Sequence, residues 1–283
     1  MDLSDKEDLR SLSQLIGNIR SAALDHDPLM VGAMARDLLL HYGSGLPVQR
    51  ATTDVDLAFA VASWNEFNAL RNALLTSEWF TETRIEHKLL HRNALEIDLI
   101  PFGGVEDAAG QVVWPTDENL MRVLGYQEAR ATSVKVLLPE GQSISTVSLP
   151  MLAAIKVIAW ADRHTLQPRK DASDLLLILK NYLQEENSAR VYDEAAHLLE
   201  AEDFDFESAG ARLAGSDAAA SIAKTSPDPT RLLNVLRDIL YIETDANGQL
   251  RLIAESGLEP DSAIRLLRSF RDGLFAELSD THL

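Results

Sequence analysis

Apolar and polar positions alternate in two short segments of the first half of the chain. Residues 54–59 read Asp-Val-Asp-Leu-Ala-Phe, and residues 95–100 read Leu-Glu-Ile-Asp-Leu-Ile. A period of two is typical of a half-buried strand, because successive side chains point to opposite faces of the sheet. The apolar run Leu29–Val31 predicts a third strand that stops at Gly32, and residues 134–147 predict two more around a turn.

Helical patterns account for most of the remaining chain. Residues 33–40 favour a helix, and Ser63 followed by Glu66 forms a capping box that predicts a helix running to about Leu75. The second half of the chain is almost entirely helical in pattern. Its predicted helices cover residues 150–163, 170–183, 191–199, 231–241 and 261–278. Residues 185–224 contain ten acids against three bases and show little patterning beyond short helices.

Strands in the first half and helices in the second predict an α+β protein with two domains, residues 1–149 and 150–283. The length of 283 residues and the hydrophobic fraction of 46% are ordinary for a globular protein with a buried core. We expect a cytoplasmic protein with no membrane partner, since neither a secretory signal nor a run of about 18 apolar residues is visible.

Charge and cysteine content exclude several kinds of function. The formal net charge is −18, so the surface repels nucleic acid and anionic membranes at long range, and a polyanionic partner would need a local basic patch. Residues 84–92 contain two arginines, two histidines and a lysine that could form such a patch, although a surface helix with solvated charges is the simpler explanation. The chain has no cysteine, which excludes disulfides, thiolate metal sites and a cysteine nucleophile.

Three aspartates are candidates for a metal site. Asp54 and Asp56 project from the same face of their predicted strand and would repel each other without a cation between them, and Mg²⁺ suits such a pair. Acid-x-acid triplets also arise by chance in so acidic a chain, so a solvated surface pair is the alternative. Asp98 lies on the polar face of the second alternating strand. If the two strands are neighbours, three carboxylates converge as two-metal phosphoryl chemistry requires; an exposed acid on an edge strand is the equal alternative.

Two other segments could contact phosphate. Gly32 and Ala33 lie between a strand and a helix, where the backbone can approach a ligand closely, although a simple turn glycine is the more ordinary explanation. Arg36, one turn further on, could reach a phosphate or pair with Asp37.

The second half offers a charged cluster. Lys156 and Arg163 share a helix face, and the next helix begins with a lysine and two acids. The five residues are Lys156, Arg163, Lys170, Asp171 and Asp174. An interhelical ion-pair cluster explains them all, and a cationic clamp on a triphosphate is the functional alternative.

Taken together, these segments resemble the nucleotidyltransferase superfamily, the fold shared by DNA polymerase beta-type enzymes, kanamycin nucleotidyltransferases and CCA-adding enzymes. Residues 31–40 are similar to its first motif, residues 53–59 to its metal-binding strand, and residues 96–104 to its third-carboxylate strand. Residues 149–175 resemble the Lys…Arg…Lys-Asp-x-x-Asp signature of AbiEii-type nucleotidyltransferases, which include toxins of abortive-infection and toxin–antitoxin systems. The resemblance covers about residues 28–183.

The resemblance implies a mixed sheet flanked by helices as an N-terminal nucleotidyltransferase domain, followed by a helical domain. It also implies transfer of an NMP from an NTP to an acceptor hydroxyl, with two Mg²⁺ ions (Mn²⁺ as an alternative) held by Asp54, Asp56 and Asp98. Asp98 would help to deprotonate the acceptor. The implied nucleotide-binding residues are Gly32, Ala33, Arg36, Thr53, Lys156, Arg163 and Asp171, with Lys156 reaching the active-site cleft from the helical domain.

The chain departs from the family pattern at two positions. Ala33 stands where many members have serine or glycine, so backbone amides would have to serve the phosphate there. The serine that some toxins place before the Asp-x-Asp is also missing, and Thr52 or Thr53 would have to replace it.

The acceptor and the partner stay open at this stage. A tRNA 3′ end is suggested by the first motif, whereas the acidity of the chain favours a small molecule or a protein side chain. A cognate antitoxin is a further implied partner. A binding protein that has lost activity predicts a broken carboxylate triad, and a phosphohydrolase would bring histidines to the metal; neither feature is present beside the three aspartates.

Overall fold

The computed structural model describes residues 1–47, 54–116, 118–183, 188–194, 196–200, 204–245 and 247–276. The chain divides into two compact units, Met1–Ser148 and Leu149–Leu283. All of the strands described lie in the first unit, and the second unit consists of helices and connections. The fold is α+β, as the pattern of elements predicts.

A mixed seven-stranded sheet forms the centre of the first unit. Its strand order is β3-β4-β5-β2-β1-β9-β8, in which β2 and β5 are parallel, β1 and β9 are parallel, and the other pairs are antiparallel. A two-stranded sheet of β6 and β7 accompanies it. The strands are β1 (Leu29–Val31), β2 (Asp54–Val61), β3 (Phe80–Glu82), β4 (Lys88–His91), β5 (Glu96–Gly103), β6 (Gln111–Val113), β7 (Leu120–Arg122), β8 (Val134–Leu137) and β9 (Ser143–Thr146).

Helices of the first unit connect and cover these strands. They are α1 (Arg10–Ala22), α2 (Gly32–Arg36), α3 (Trp64–Thr76) and α4 (Tyr126–Ala131), with 3₁₀ turns at Glu7–Leu9 and Pro139–Gly141. A π-helix, Asp37–Tyr42, continues α2 directly. The capping box at the start of α3 is confirmed, since the Ser63 side chain accepts a hydrogen bond from the Glu66 amide. The Glu66 carboxylate accepts from the amide of Ala62, one residue earlier than the ideal partner.

The second unit is built from α5 (Leu149–Arg163), α6 (Lys170–Lys180), α7 (Arg190–Glu194), α8 (Phe206–Thr225), α9 (Pro229–Thr244), α10 (Arg251–Ser256), α11 (Pro260–Leu274) and a 3₁₀ helix, Ala196–Glu200. The expectation that residues 185–224 hold only short helices is wrong, because α8 runs for 20 residues. Among the residues the structure describes, no helix combines the length and the apolar character needed to cross a membrane.

Gly215 and Gly273 explain how α8 packs so closely against α11. A Cβ atom at Gly215 would lie 2.1 Å from the carbonyl oxygen of Phe270, and one at Gly273 would lie 2.0 Å from that of Arg212. The two helix backbones therefore meet where neither has a side chain.

Candidate active site

The parallel pairing of β2 with β5 brings the three candidate aspartates together. Asp56 lies opposite Asp98 in the ladder, and Asp54 lies opposite Glu96. Each of Asp54, Asp56 and Asp98 offers a carboxylate oxygen within 4.8 Å of the other two, and all three side chains are half-buried. Val55, Leu57, Ile97 and Leu99 alternate with these acids and are completely buried. The apolar positions thus fix the acids on the opposite face of the sheet.

The donor set at this cluster fits a hard divalent cation. Carboxylate oxygens are the ligands that Mg²⁺ prefers, and two or three of them suit an ion that also binds substrate phosphates. Within the described residues, Oδ1 of Asp98 is shielded from solvent and accepts no well-aligned hydrogen bond. The charge of this oxygen is offset by the Lys88 ammonium at 3.0 Å, and a bound divalent cation would coordinate the same oxygen.

Lys88 is a component of the site that the sequence analysis did not place there. Its Nζ lies 2.6 Å from Oε1 of Glu96 and 3.0 Å from Oδ1 of Asp98. The contact with Asp98 is an ion pair rather than a well-directed hydrogen bond. Burial acts to lower the pKa of Lys88, but the contacts with Glu96 and Asp98 outweigh it and hold the pKa above its ordinary value. Lys88 therefore brings a fixed positive charge to the edge of the carboxylate cluster.

The turn at Gly32 lies directly against the cluster. Gly32 has a φ of +68°, a conformation that favours glycine, and an added Cβ would lie 1.9 Å from Oδ2 of Asp56. Val31, the last residue of β1, pairs with Asp56 across the antiparallel ladder. Ala33 follows and is 4% exposed. The Gly32 backbone thus borders the carboxylate of Asp56.

Arg36 is the remaining nucleotide-binding candidate of the first unit that lies within the described residues. Arg36 is 4% exposed, and its Nε donates to Oδ1 of Asp37 at 2.8 Å, which is the pairing alternative considered for it. Thr52 and Thr53 lie outside the described residues.

The charged residues of α5 and α6 form a compact buried cluster within the second unit. The ammonium of Lys156 contacts Oδ1 of Asp171 at 2.8 Å and Oδ2 of Asp174 at 2.7 Å. Arg163 binds the same Asp171 carboxylate through two nitrogens, at 2.6 and 2.8 Å. Lys156 is only 2% exposed, whereas 34% of the Arg163 side chain remains accessible.

The opposite charges of this cluster shift the pKa values of Lys156 and Asp171 in the directions that favour their charged forms. Burial acts to lower the pKa of Lys156, but the attraction of Asp171 and Asp174 outweighs it and raises the pKa. Burial acts in the opposite direction on Asp171, where Lys156 and Arg163 prevail and hold the pKa well below its ordinary value. A buried arrangement of this kind fixes the two helices in register and is costly to break.

The basic patch considered for residues 84–92 does not have the expected form. The segment contains a turn and strand β4 rather than a surface helix. Lys88 is neutralised by its two carboxylates, and His91 is 1% exposed with a pKa that burial lowers. Arg92 lies over the ring of Trp79, 5.0 Å from its centroid. These side chains do not make one basic surface.

Comparison with known proteins identifies the family. A family model described as "Nucleotidyl transferase AbiEii toxin, Type IV TA system" matches residues 15–271. The chain belongs to the AbiEii family. This confirms the resemblance seen in the sequence and extends it through the helical unit, where no further motif had been identified.

Other comparisons add less to this assignment. No curated protein matches the AbiEii-family chain. A solved structure of the antibiotic-resistance factor ANT(2″)-Ia is similar over 66% of this chain and 95% of its own, at 18% identity and a TM-score of 0.37.

Proposed function

We propose that this AbiEii-family chain is a metal-dependent nucleotidyltransferase that moves an NMP from an NTP to an acceptor hydroxyl and releases pyrophosphate. The observation that carries the proposal is the convergence of Asp54, Asp56 and Asp98 within 4.8 Å on two parallel strands. Membership of a nucleotidyltransferase toxin family supports the reaction class.

Asp54, Asp56 and Asp98 would hold Mg²⁺, with Mn²⁺ as an alternative ion. When bound, the cations supply positive charge that neutralises the triphosphate and makes the acceptor hydroxyl more acidic. Asp98 lies at one side of the cluster and would accept the proton of the acceptor hydroxyl as its oxygen attacks the α-phosphorus. The bond to pyrophosphate breaks on the opposite side of the phosphorus. Positioning and charge account for most of the catalysis in such a reaction.

The Gly32 turn would allow the triphosphate to approach the carboxylates. Because Gly32 has no side chain, its backbone lies directly against the Asp56 carboxylate, and a triphosphate held by cations at the carboxylates would lie close to this turn. Arg36 donates a hydrogen bond to Asp37 and would stabilise this turn rather than contact the nucleotide.

The cluster in the helical unit enters the proposal through the resemblance. Lys156 has both of its nearest carboxylates in contact, so a direct contact with phosphate would require the cluster to open. Arg163 is more exposed than Lys156 and is anchored by Asp171. We therefore assign the contact with phosphate to Arg163, and we assign Lys156 and Asp171 to holding its guanidinium in place.

A small hydroxylated molecule or a protein side chain is the acceptor that the first unit favours. The net charge of −18 opposes RNA, and in the segment considered for a basic patch Lys88 is neutralised and His91 is buried. A tRNA 3′ end remains the second candidate, because the AbiEii family is described as a toxin family and residues 31–40 are similar to CCA-adding enzymes. A cognate antitoxin belongs to the proposal on the family's description alone.

Label transfer tests the proposal directly. Each of the four α-³²P-labelled NTPs is incubated with the protein, Mg²⁺ and a host lysate, which is then separated into RNA, protein and small-molecule fractions. We expect label in one fraction with the wild-type chain and with Asp5→Asn, a surface control. The Asp54→Asn, Asp56→Asn double variant should transfer none. Equal transfer by the double variant would refute the proposal, and Mg²⁺-dependent NTP binding without any transfer would favour a binding protein of the same fold.

A further inference from the structure

A cavity of about 280 Å³ lies in the helical unit beside the close crossing of α8 and α11. Three arginines line it, Arg212 from α8 and Arg265 and Arg268 from α11, together with Phe204, Ser208 and Ser269. All of these residues belong to the second unit, whereas the three aspartates of the candidate active site belong to the first. The nucleotidyl transfer reaction gives this cavity no role.

The charge of the cavity opposes that of the whole chain. Asp205, the one acid among the described residues of its lining, already accepts hydrogen bonds from the amide and the hydroxyl of Ser208 as the N-cap of α8. Arg265 and Arg268 lie three residues apart on one helix, where like charges repel. The mutual repulsion of neighbouring arginines is a local cost that a bound anion would relieve.

The arginines retain donors for such an anion. Arg268 uses Nε and Nη2 to bind the carbonyl oxygen of Thr244, which fixes the guanidinium beside the cavity. Arg265 donates one bond, from Nη2 to the hydroxyl of Ser262 at 3.2 Å. Within the part of the chain that the structure describes, the guanidinium of Arg212 has no hydrogen-bond or ion-pair partner.

We propose that this cavity is a phosphate-binding site separate from the catalytic carboxylates. Guanidinium groups match phosphate geometry through paired N–H donors, and Ser208 and Ser269 can add hydroxyl donors. The volume suits a phosphate group with a small attached moiety and is too small for a whole nucleoside triphosphate, since small-molecule sites generally begin at about 300 Å³. Phe204, which is 37% exposed, offers an apolar surface to that moiety. The phosphate can belong to a free phosphomonoester or to the 5′ end of an RNA.

Calorimetric titration of the full chain with inorganic phosphate in Mg²⁺-free buffer tests the site. The Arg212→Gln, Arg265→Gln variant should bind phosphate at least about tenfold more weakly, because it loses two charged donors. Arg237→Gln, a surface change in the same unit, is the matched control and should bind as the wild type does. Thermal unfolding of each variant verifies that it is folded; should the double variant unfold, Arg212→Gln alone replaces it. The Asp54→Asn, Asp56→Asn variant should keep full phosphate binding, so failure of the proposed transferase activity leaves this test intact.

A second titration distinguishes the two sources of phosphate. A ten-nucleotide RNA with a 5′-phosphate is compared with the same RNA without it. Tighter binding of the 5′-phosphorylated RNA than of the unphosphorylated RNA, lost in the Arg212→Gln, Arg265→Gln variant, would assign the site to RNA ends. Equal binding of the two RNAs, with inorganic phosphate still bound by the wild type, would assign it to small phosphoesters. Absence of phosphate binding by the wild type, or binding unchanged by the arginine variants, would overturn the proposal. Glu202 and Asp203 precede Phe204 in the sequence and lie outside the described residues. Phosphate binding seen only in a variant that carries Glu202→Gln and Asp203→Asn would also overturn it. The arginines would then be partners of these two carboxylates of the chain rather than of a phosphate.

Discussion

A Cβ atom on Gly32 would lie 1.9 Å from Oδ2 of Asp56, so the turn after β1 and the carboxylate of β2 occupy adjoining space that no side chain can share. The backbone of Gly32 also has a positive φ of +68°, which opposes any other residue independently of this contact. Two separate constraints therefore select glycine at the edge of the candidate metal site.

Gly32→Ala should abolish nucleotidyl transfer by displacing the Asp56 carboxylate. Gly141→Ala is the control, since Gly141 has a φ of +74° but no atom within 4 Å of an added Cβ. Both variants should lose about 1–2 kcal/mol of unfolding free energy from backbone strain. Only Gly32→Ala should lose activity and Mg²⁺-dependent stabilisation in thermal unfolding. Equal activity losses in the two variants would show that strain, rather than the contact with Asp56, is responsible.

Asp98→Asn should lower the transfer rate by about 10²–10⁴-fold, because it removes the proposed proton acceptor and a metal ligand together. Glu96→Gln, on the same strand and face but outside the three-aspartate cluster, is the matched control and should retain most activity. Steady-state rates at saturating Mg²⁺ measure the difference. An Asp98→Asn enzyme with wild-type rates would exclude Asp98 from the chemistry.

Lys88→Gln should tighten Mg²⁺ binding by roughly fivefold, equivalent to about 1 kcal/mol. In the metal-free chain the Lys88 ammonium partly neutralises Asp98, and a bound cation would compete with it for the same oxygen. The metal-free protein should in turn be less stable, since Glu96 and Asp98 lose their counterion. Calorimetric titration with Mg²⁺ measures the affinity, and Lys135→Gln, at an exposed position of β8, controls for overall charge. A weaker Mg²⁺ affinity in Lys88→Gln would contradict this account.

The buried cluster of the helical unit predicts how stability depends on pH. The folded pKa of Asp171 lies below its ordinary value of 3.8, so the stabilisation is present above about pH 4 and is lost as the pH falls through the folded value. The folded pKa of Lys156 is raised above 10.5, so its contribution is complete below that value and is lost as the pH rises through the folded pKa. Urea unfolding between pH 3 and 11 should therefore show a plateau with losses at both ends.

Lys156→Met should lower the free energy of unfolding by about 3–5 kcal/mol at pH 7. The substitution leaves the negative charges of Asp171 and Asp174 buried, with only Arg163 to neutralise them. The loss should shrink below pH 4, where the carboxylates accept protons instead. Lys180→Met, at a lysine whose side chain is 43% exposed, serves as control. A loss for Lys156→Met that did not change with pH would indicate a packing effect rather than uncompensated charge.

The sequence was most informative where one alternating pattern of residues determined both the strands and the face on which their acids lie. Alternation in residues 54–59 and 95–100 places the acids on one face, and the structure adds only that the two strands are parallel neighbours. Lys88 escaped this reasoning because its role depends on strand register, which pairs it with Asp98 across β4 and β5. In the sequence it looks like one base in a short basic run.

Helix α8 was missed for a different physical reason. Its sequence is rich in alanine, glycine and serine, which give little contrast between a buried and an exposed face. Close packing against α11 buries glycine and alanine residues of α8. The contact with α11, rather than a hydrophobic periodicity in the sequence, therefore accounts for this helix. The arginine-lined cavity beside α8 could not be predicted either, because its arginines come from two helices that are distant in sequence.

Because β1 pairs with β9, the sheet of the first unit cannot be completed on the ribosome until β9 has been translated. Leu29 pairs with Ser145, more than a hundred residues later, so β1 lacks one of its two neighbours until β9 has been translated. At roughly 5–20 residues per second, that interval lasts about 5 to 20 s. Once residue 98 has been made, the nascent chain carries Asp54, Asp56 and Asp98, but the strand that leads into the Gly32 turn still lacks its β9 neighbour. The carboxylates of the candidate site are therefore all present in the chain before the sheet around the Gly32 turn is complete.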